Sequence, residues 1–228
     1  ESGPEYLAVA QGTGRPYTEF TGRFCHAFGS PNFVSPGHNC FLPRLIGSKI
    51  TTGWLPQPDI FGRGGKMPQS VLVFGANPME SGAADGQCGD MIRRAMEQAA
   101  LTIVIDPRAT KAARKANLHL ALRPGSECAL MLAMLHTVIA EDAYDKDFVA
   151  RHCQGLEALR AHVAPFGPDW AASITRVSAS LIREAALAFA RAQPGVIIWG
   201  NGIDESINAF QTGRATLLFM ALCGTLDV

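Results

Sequence analysis

Three short apolar runs constrain the fold of this chain, because turn-forming polar residues follow each of them directly. The runs and the residues that follow them are Val71-Leu72-Val73-Phe74 with Gly75-Ala76-Asn77-Pro78, Leu101-Thr102-Ile103-Val104-Ile105 with Asp106-Pro107-Arg108, and His119-Leu120-Ala121-Leu122 with Arg123-Pro124-Gly125-Ser126-Glu127. Continuous apolar runs without alternation are typical of strands buried on both faces of a parallel sheet. Polar groups at the carboxyl ends of such strands lie where open α/β sheets bind nucleotides.

Segments of helical periodicity lie between these runs and after them. Apolar residues recur at helical spacing in 40–52, 89–100, 126–140, 178–192 and 209–223, whereas 29–39 is rich in Gly, Pro, Ser and Asn and predicts an irregular loop. Ser126 and Ser178 stand where they can cap the helices that follow them. A further buried strand, 196–199, ends at Gly200-Asn201-Gly202.

Alternating strands and helices predict an α/β fold with a doubly wound, mostly parallel sheet and helices on both faces. We expect a dinucleotide-binding-like α/β domain over residues 34–191. The flanking segments, 1–33 and 192–228, are expected to belong to a second, discontinuous α/β domain.

Composition and net charge describe a globular chain and point to no polyanionic partner. The 228 residues are 47% hydrophobic and 18% charged, as in soluble globular proteins, and the 20 basic residues balance the 20 acidic ones. Net charge therefore does not indicate nucleic acid as a partner, and no run is long and apolar enough to span a membrane. The 6 cysteines form no CxxC pair, which counts against zinc ribbons and thioredoxin-like redox motifs. The chain lacks an initiator Met, and we expect it to be a piece of a longer protein.

The strand ends supply candidate binding residues. A carboxylate at Asp106 can accept the hydroxyls of a ribose or the N–H edge of guanine, although an Asp before Pro107 is equally typical of a simple turn. Arg108 can offer a planar fork to a pyrophosphate, or form a surface ion pair. Gly75 and Asn77 lie in a tight turn that permits close backbone approach, which turn formation alone also explains.

Two further groups of candidates lie at a helix start and at another strand end. Gly125 and Glu127 place backbone N–H groups and a carboxylate at the start of a helix, where Glu127 either reads a guanine edge or only complements the helix dipole. Gly200 and Gly202 repeat the arrangement of a strand followed by glycine.

Cys40 is the sharpest candidate for chemistry, because it stands at the start of a predicted helix. A helix N-terminus favours the thiolate, which is a soft metal ligand, although most such cysteines are inert. His38 is a second candidate catalytic residue in the same loop. Cys25-His26 is a weaker pair, since it lies within an element.

In order and spacing, these motifs resemble the molybdopterin oxidoreductases of the dimethyl sulfoxide reductase type. The resemblance continues through 144–149, 170–175, 199–202 and 221–226, and it includes Cys40. It implies a bis(molybdopterin guanine dinucleotide) cofactor carrying molybdenum or tungsten. It also implies that Cys40 binds the metal, that Asn77, Asp106 and Glu127 hold one guanosine with Arg108 nearby, and that the glycines at 200–202 lie beside the other dinucleotide.

The resemblance also implies two-electron redox chemistry on a small substrate and an electron-transfer subunit as partner. A 4Fe-4S cluster is expected in a segment before residue 1, and the location is expected to be cytoplasmic, with the periplasm as the alternative. Glu127 stands where the family often has Asp, and Phe41 follows Cys40 where formate dehydrogenases have His, which counts against formate. We expect the 228 residues alone neither to hold the intact cofactor nor to turn over.

Three alternatives stay open from the sequence. The chain could be the central domain of a thiamine-diphosphate enzyme, an NAD-type domain, or a non-catalytic nucleotide-binding module in which Cys40 is idle. The first strand-to-helix turn lacks the Gly-x-Gly-x-x-Gly pattern, which counts against NAD.

Overall fold

The structure is a computed structural model that describes residues 3–12, 18–35, 40–56, 59–62, 65–81 and 88–226. The strands are β1 (Ala8–Ala10), β2 (Asn32–Val34), β3 (Ser70–Phe74), β4 (Leu101–Ile105), β5 (Leu118–Leu120) and β6 (Gly195–Trp199). The helices are α1 (Thr18–Phe28), α2 (Leu42–Thr52), α3 (Pro78–Ser81), α4 (Cys88–Gln98), α5 (Glu127–Ala140), α6 (Lys146–His152), α7 (Leu156–Val163), α8 (Pro168–Thr175), α9 (Ala179–Arg191), α10 (Asn201–Asp204) and α11 (Ala209–Leu222).

A four-stranded parallel sheet in the order β5-β4-β3-β6 organises the chain. Ser70 of β3 lies opposite Leu101 on one side and Gly195 on the other, and both ladders continue to Phe74. The chain passes outward from β3 through β4 to β5 and then returns to the free edge of β3 with β6. The carboxyl ends of β3 and β6 therefore form a topological switch point, where open α/β sheets bind ligands.

Helices cover both faces of this sheet, which confirms the predicted α/β class. On one face, Leu72 and Ile103 belong to a large core with residues of α5, α9 and α11. On the other face, Val71, Val73 and Val104 pack in a smaller core with residues of α4. Because alternate residues of one strand serve opposite cores, the central strands are mostly apolar on both faces, as the sequence indicates; Ser70 in β3 and Thr102 in β4 are buried polar exceptions.

α2 is joined to the sheet domain by its contact with α11. Glycines lie on both sides of this contact: a Cβ added at Gly47 would lie 3.5 Å from the Phe210 carbonyl oxygen, and one added at Gly213 would lie 3.7 Å from the Cα of Arg44. The two helix backbones thus approach closely. This packing holds the start of α2, directly after Cys40, on the β6 side of the sheet.

Three local expectations need correction or adjustment. The predicted loop 29–39 contains β2, which pairs in parallel with β1. Ser178 caps α9 as predicted, by accepting the Leu181 N–H at 3.3 Å, but Ser126 caps nothing, because its hydroxyl donates to the Arg123 carbonyl. The domain division, with boundaries at residues 34 and 191, stays a prediction; the structure adds that β6, which follows residue 191, pairs with β3 in the same sheet.

Candidate functional site

The carboxyl edge of the sheet, called the rim below, carries three predicted binding residues: Asn77, Asp106 and Glu127. Asn77 follows β3, Asp106 follows β4 directly, and Glu127 begins α5 after β5. Because these strands are parallel, their carboxyl ends lie along one edge of the sheet. The topology therefore places the three side chains on the same edge, as the sequence predicts.

Asp106 is buried and already engaged within its own turn. Its side chain is 3% exposed, and it accepts the Arg108 backbone N–H at 2.8 Å and the Arg108 Nε–H at 3.1 Å. These contacts raise the pKa of the Arg108 guanidinium. The turn role and the ion pair are thus both formed. The Arg108 side chain remains 67% exposed, so its outer N–H groups can still reach an anion.

Asn77 and Glu127 each keep one buried acceptor that lacks a hydrogen-bond partner among the described residues. Asn77 donates its amide N–H to Glu80 at 3.0 Å, which lowers the pKa of the Glu80 carboxyl, while Asn77 Oδ1 is left over. Glu127 accepts the Gly125 N–H at 3.2 Å through Oε1, while Oε2 is left over. Buried acceptors are normally satisfied, so these two oxygens are available to N–H or O–H donors of a bound molecule.

The glycines of the switch point serve the packing of two turns against each other. A Cβ added at Gly200 would lie 2.7 Å from the Ala76 Cβ, and one at Gly202 would lie 2.8 Å from the Gly75 carbonyl oxygen. The Gly202 N–H donates to that same oxygen at 3.0 Å. Gly75 itself has φ +57°. The small size of these three glycines thus lets the two turns pack backbone against backbone, and their place beside a dinucleotide stays a prediction.

Gly125 differs from the switch-point glycines. It has φ +84°, and a Cβ built on it would meet nothing within 4 Å. Its conformation favours glycine, while the space beside it is open to a ligand.

Cys40 lies at the other part of the switch point, just before α2, and is half-buried. Its Sγ accepts a hydrogen bond from the Asn201 amide at 3.5 Å, which is ordinary for sulfur. Asn201 begins α10, directly after β6 and Gly200. The thiol is therefore brought to the carboxyl end of β6. The other predicted catalytic residue, His38, lies outside the described residues.

Arg44 ties the first turn of α2 to the same β6 turn. Its Nη1 donates to the Trp199 carbonyl at 2.7 Å, and its Nη2 lies 3.0 Å from Asp204 Oδ2. The Arg44 backbone N–H donates to Asp204 Oδ1 at 3.2 Å. The guanidinium also stands 5.7 Å from the centre of the Trp199 ring, within the range of a cation–π contact.

Asp204 is the most perturbed carboxyl in this region. Its side chain is 0% exposed, and burial raises its pKa to about 6 although Arg44 acts in the opposite direction. Arg44, Asn201 and Asp204 were not predicted as site residues. The signals available were the position of Arg44 one helical turn after Cys40, and an acid close behind the Gly200–Gly202 turn.

Three other cysteines, Cys25, Cys128 and Cys223, have the surroundings of structural thiols. Cys25 is buried in α1 and donates to the Ser30 carbonyl at 3.5 Å, as a structural thiol does. Burial raises the pKa of the Cys128 and Cys223 thiols, in accord with the inert role predicted for them.

Among the described residues, no three His, Cys, Asp or Glu side chains are grouped to hold a metal ion by themselves. Helices in the described ranges are too short or too polar to cross a membrane.

Comparison with known proteins agrees with the resemblance found in the sequence. Residues 21–227 match the family described as molybdopterin oxidoreductase. The chain is 39% identical to formate dehydrogenase H of Escherichia coli over 156 residues, which is 68% of this chain and 21% of that protein. It is 28% identical to the F420-dependent formate dehydrogenase subunit alpha of Methanocaldococcus jannaschii over 161 residues, covering 71% of this chain and 24% of that protein.

A solved structure also matches. Acetylene hydratase from Pelobacter acetylenicus superposes with a TM-score of 0.82 at 31% identity, over 98% of this chain and 30% of that one. This chain thus spans between about a fifth and a third of the length of these relatives.

Proposed function

The chain belongs to the molybdopterin oxidoreductase family, and on that premise we propose that it binds the guanosine end of a molybdopterin guanine dinucleotide at the rim and the metal at Cys40. Family membership implies a molybdopterin cofactor with molybdenum or tungsten. The dinucleotide form and the residues that hold it are our proposal. The complete protein would then carry out two-electron oxidoreductase chemistry on a small substrate.

The observation that carries this proposal is the pair of buried, unpartnered acceptors at the rim. Asn77 Oδ1 and Glu127 Oε2 need donors, and the Watson–Crick edge of guanine offers two neighbouring N–H groups. A buried carboxylate pairs well with such donors, because charge-assisted hydrogen bonds are stronger than neutral ones. Adenine, whose Watson–Crick edge has one amino donor beside an acceptor, fits two acceptors less well.

The neighbouring residues complete the nucleotide site. Asp106 holds the Arg108 side chain by two contacts, so that the exposed part of this guanidinium is oriented for a phosphate. The open side of Gly125 lets a ligand approach the turn that precedes α5. These groups bind and orient; none of them needs to exchange a proton.

Cys40 would supply one thiolate to the metal. Thiolate is a soft ligand, suited to a metal that the pterin dithiolenes also hold by sulfur. The cofactor, when bound, supplies the centre that exchanges two electrons with the substrate. The chain contributes the position of the sulfur, at the switch point between β3 and β6.

Further features of the complete protein are inferred from its relatives. One is named as an alpha subunit, which supports a further subunit as partner; that this subunit transfers electrons stays a prediction. A 4Fe-4S cluster before residue 1 and a cytoplasmic location stay predictions.

A non-redox reaction is the second candidate, because similarity to acetylene hydratase extends over 98% of the chain. The two are separated by asking whether turnover of the complete protein consumes an external electron acceptor.

The test of the nucleotide site is Glu127→Gln in the complete protein, with Glu141→Gln as matched control. Glu141 lies at the other end of α5, where it pairs with Arg183. Loss of a charge-assisted bond at Glu127 should weaken guanine nucleotide retention about 10- to 100-fold, measured as GMP released by acid hydrolysis after extensive dialysis. The control should retain the wild-type amount. Equal retention by Glu127→Gln and wild type would overturn the proposed site.

A further inference from the structure

Cys40 is linked to the segment that follows β6 by the side chain of Asn201. The Asn201 amide donates to Cys40 Sγ at 3.5 Å, although the two residues are 161 positions apart in the chain. Asn201 is an exposed residue, and its Oδ1 accepts a second hydrogen bond, from Arg44 Nη2 at 3.5 Å. This hydrogen bond therefore acts on the sulfur atom of the proposed metal ligand, just before α2 begins.

Arg44 fixes the geometry in which this bond forms. It contacts Trp199, Asn201 and Asp204, which all belong to the β6–α10 turn. The Arg44 and Asp204 side chains are only 14% and 0% exposed, respectively. Charged groups so deeply buried are held in place by their partners, since an alternative position would leave one of them unpaired. The first turn of α2 therefore cannot shift along the β6 turn without breaking this pair.

We propose that Asn201 and Arg44 are positioning residues for the metal-binding thiolate: Arg44 holds α2 against the β6 turn, and Asn201 donates a hydrogen bond to Cys40 Sγ. This inference rests on the proposed role of Cys40 as metal ligand. It adds two residues that act through Cys40 and that neither touch the metal nor exchange protons.

The hydrogen bond to sulfur has an electronic consequence. An N–H donor stabilises negative charge on a ligating thiolate, and that charge is greater when the metal is reduced. Hydrogen bonds to ligating sulfurs and other groups around the ligands are known determinants of metal potentials. The Asn201 bond should therefore raise the midpoint potential of the metal, and its removal should lower it. A purely structural role for Asn201 would leave the potential unchanged.

The test uses the complete, metal-loaded protein with Asn201→Leu, which has similar volume and no donor, and Asn208→Leu as matched control. Asn208 is exposed, lies seven residues on, and does not cap α11 with its side chain. A redox titration followed by electron paramagnetic resonance should give a lower metal potential for Asn201→Leu and the wild-type value for Asn208→Leu. Asn201→Gln, which keeps the donor, should recover part of the shift.

Arg44 is tested in the same protein by Arg44→Met and Arg44→Lys. Methionine keeps much of the length and loses the charge, so the Cys Sγ contribution to the metal X-ray absorption spectrum should decrease. Lysine keeps the charge opposite Asp204 and should restore part of it. Failure of Asn201→Leu to incorporate metal, when Asn208→Leu does so normally, would also support the positioning role.

Cys40→Ala distinguishes a wrong positioning role for Asn201 from a wrong metal-binding role for Cys40. If this variant changes the metal spectrum while Asn201→Leu leaves the potential at the wild-type value, the positioning inference is wrong and the proposed function stands. If Cys40→Ala leaves the spectrum unchanged, Cys40 is not a ligand, and both are overturned.

Discussion

Replacing Arg44 by methionine should loosen the start of α2, and should do so more at high pH than at low pH. Arg44 is the cation beside the fully buried Asp204 carboxylate, at 3.0 Å. Without Arg44, that carboxylate has lost its counter-charge, and breaking a buried pair from one side is strongly destabilising. The pH dependence arises because a protonated Asp204 needs no counter-charge.

The size of the effect follows from the pKa of Asp204, which burial raises from 3.8 to about 6. Between these values the native state binds the proton more tightly than the unfolded chain, so the stability contribution of Asp204 falls as the pH rises and becomes constant above about 6. In Arg44→Met the pKa of Asp204 should rise further, so the stability contribution of Asp204 should continue to fall above pH 6. Up to about pH 8 the extra loss is at most roughly 2.7 kcal/mol, at ~1.36 kcal/mol per pH unit.

Hydrogen exchange of the complete protein measures this loss locally. The ratio of opening constants between Arg44→Met and wild type should be compared for peptides covering α2 and α10, at about pH 5 and about pH 8. The ratio should be up to about 100-fold larger at the higher pH. A pH-independent part, on the order of 1 kcal/mol, is expected from the lost bond to the Trp199 carbonyl.

Equal ratios at the two pH values would refute the reasoning, because they would mean that Asp204 titrates without regard to Arg44. A smaller ratio at the higher pH would refute it as well, since it reverses the sign. Peptides from α9, which does not contain either residue, serve as the internal control.

Two further pairs of substitutions test the packing of the site and the capping of the helices that support it. Gly202→Ala should destabilise the complete protein by about 1–3 kcal/mol, because the new Cβ would lie 2.8 Å from the Gly75 carbonyl oxygen. As its control, Gly22→Ala in α1 should be neutral or stabilise the protein by up to ~1 kcal/mol, because a Cβ added at Gly22 meets nothing within 4 Å. Ser178→Ala should cost about 1 kcal/mol through the lost α9 cap, and Ser126→Ala should cost less, because that hydroxyl caps no α5 N–H. Urea unfolding checks both pairs, and a Gly202→Ala protein as stable as wild type, or equal losses at the two serines, would contradict the respective argument.

The sheet was predictable because its signal is local. Val71 and Val73 belong to the smaller core, and Leu72 between them belongs to the larger core on the other face of the sheet. A continuous apolar run is therefore sufficient to identify a strand buried on both faces. The rim was predictable too, because residues that follow parallel strands lie on one edge of the sheet, however the helices pack. β2 was missed because a three-residue strand carries little signal, and its pairing with β1 depends on tertiary contacts.

The Arg44 contacts could not be predicted, because they depend on how α2 packs. Arg44 and Asp204 are 160 residues apart, and no local pattern specifies that α2 lies against α11. The place of Gly75, Gly200 and Gly202 beside a dinucleotide stays a prediction. Their contact with each other could not be predicted, because it depends on how two turns pack in three dimensions.

A crystal structure of the complete, cofactor-loaded protein, with anomalous scattering collected at the metal absorption edge, tests the account most directly. The account predicts an anomalous peak bonded to Cys40 Sγ, and a guanine whose N–H groups lie within hydrogen-bonding distance of Glu127 Oε2. A peak remote from Cys40, together with a rim that binds no nucleotide, would contradict it.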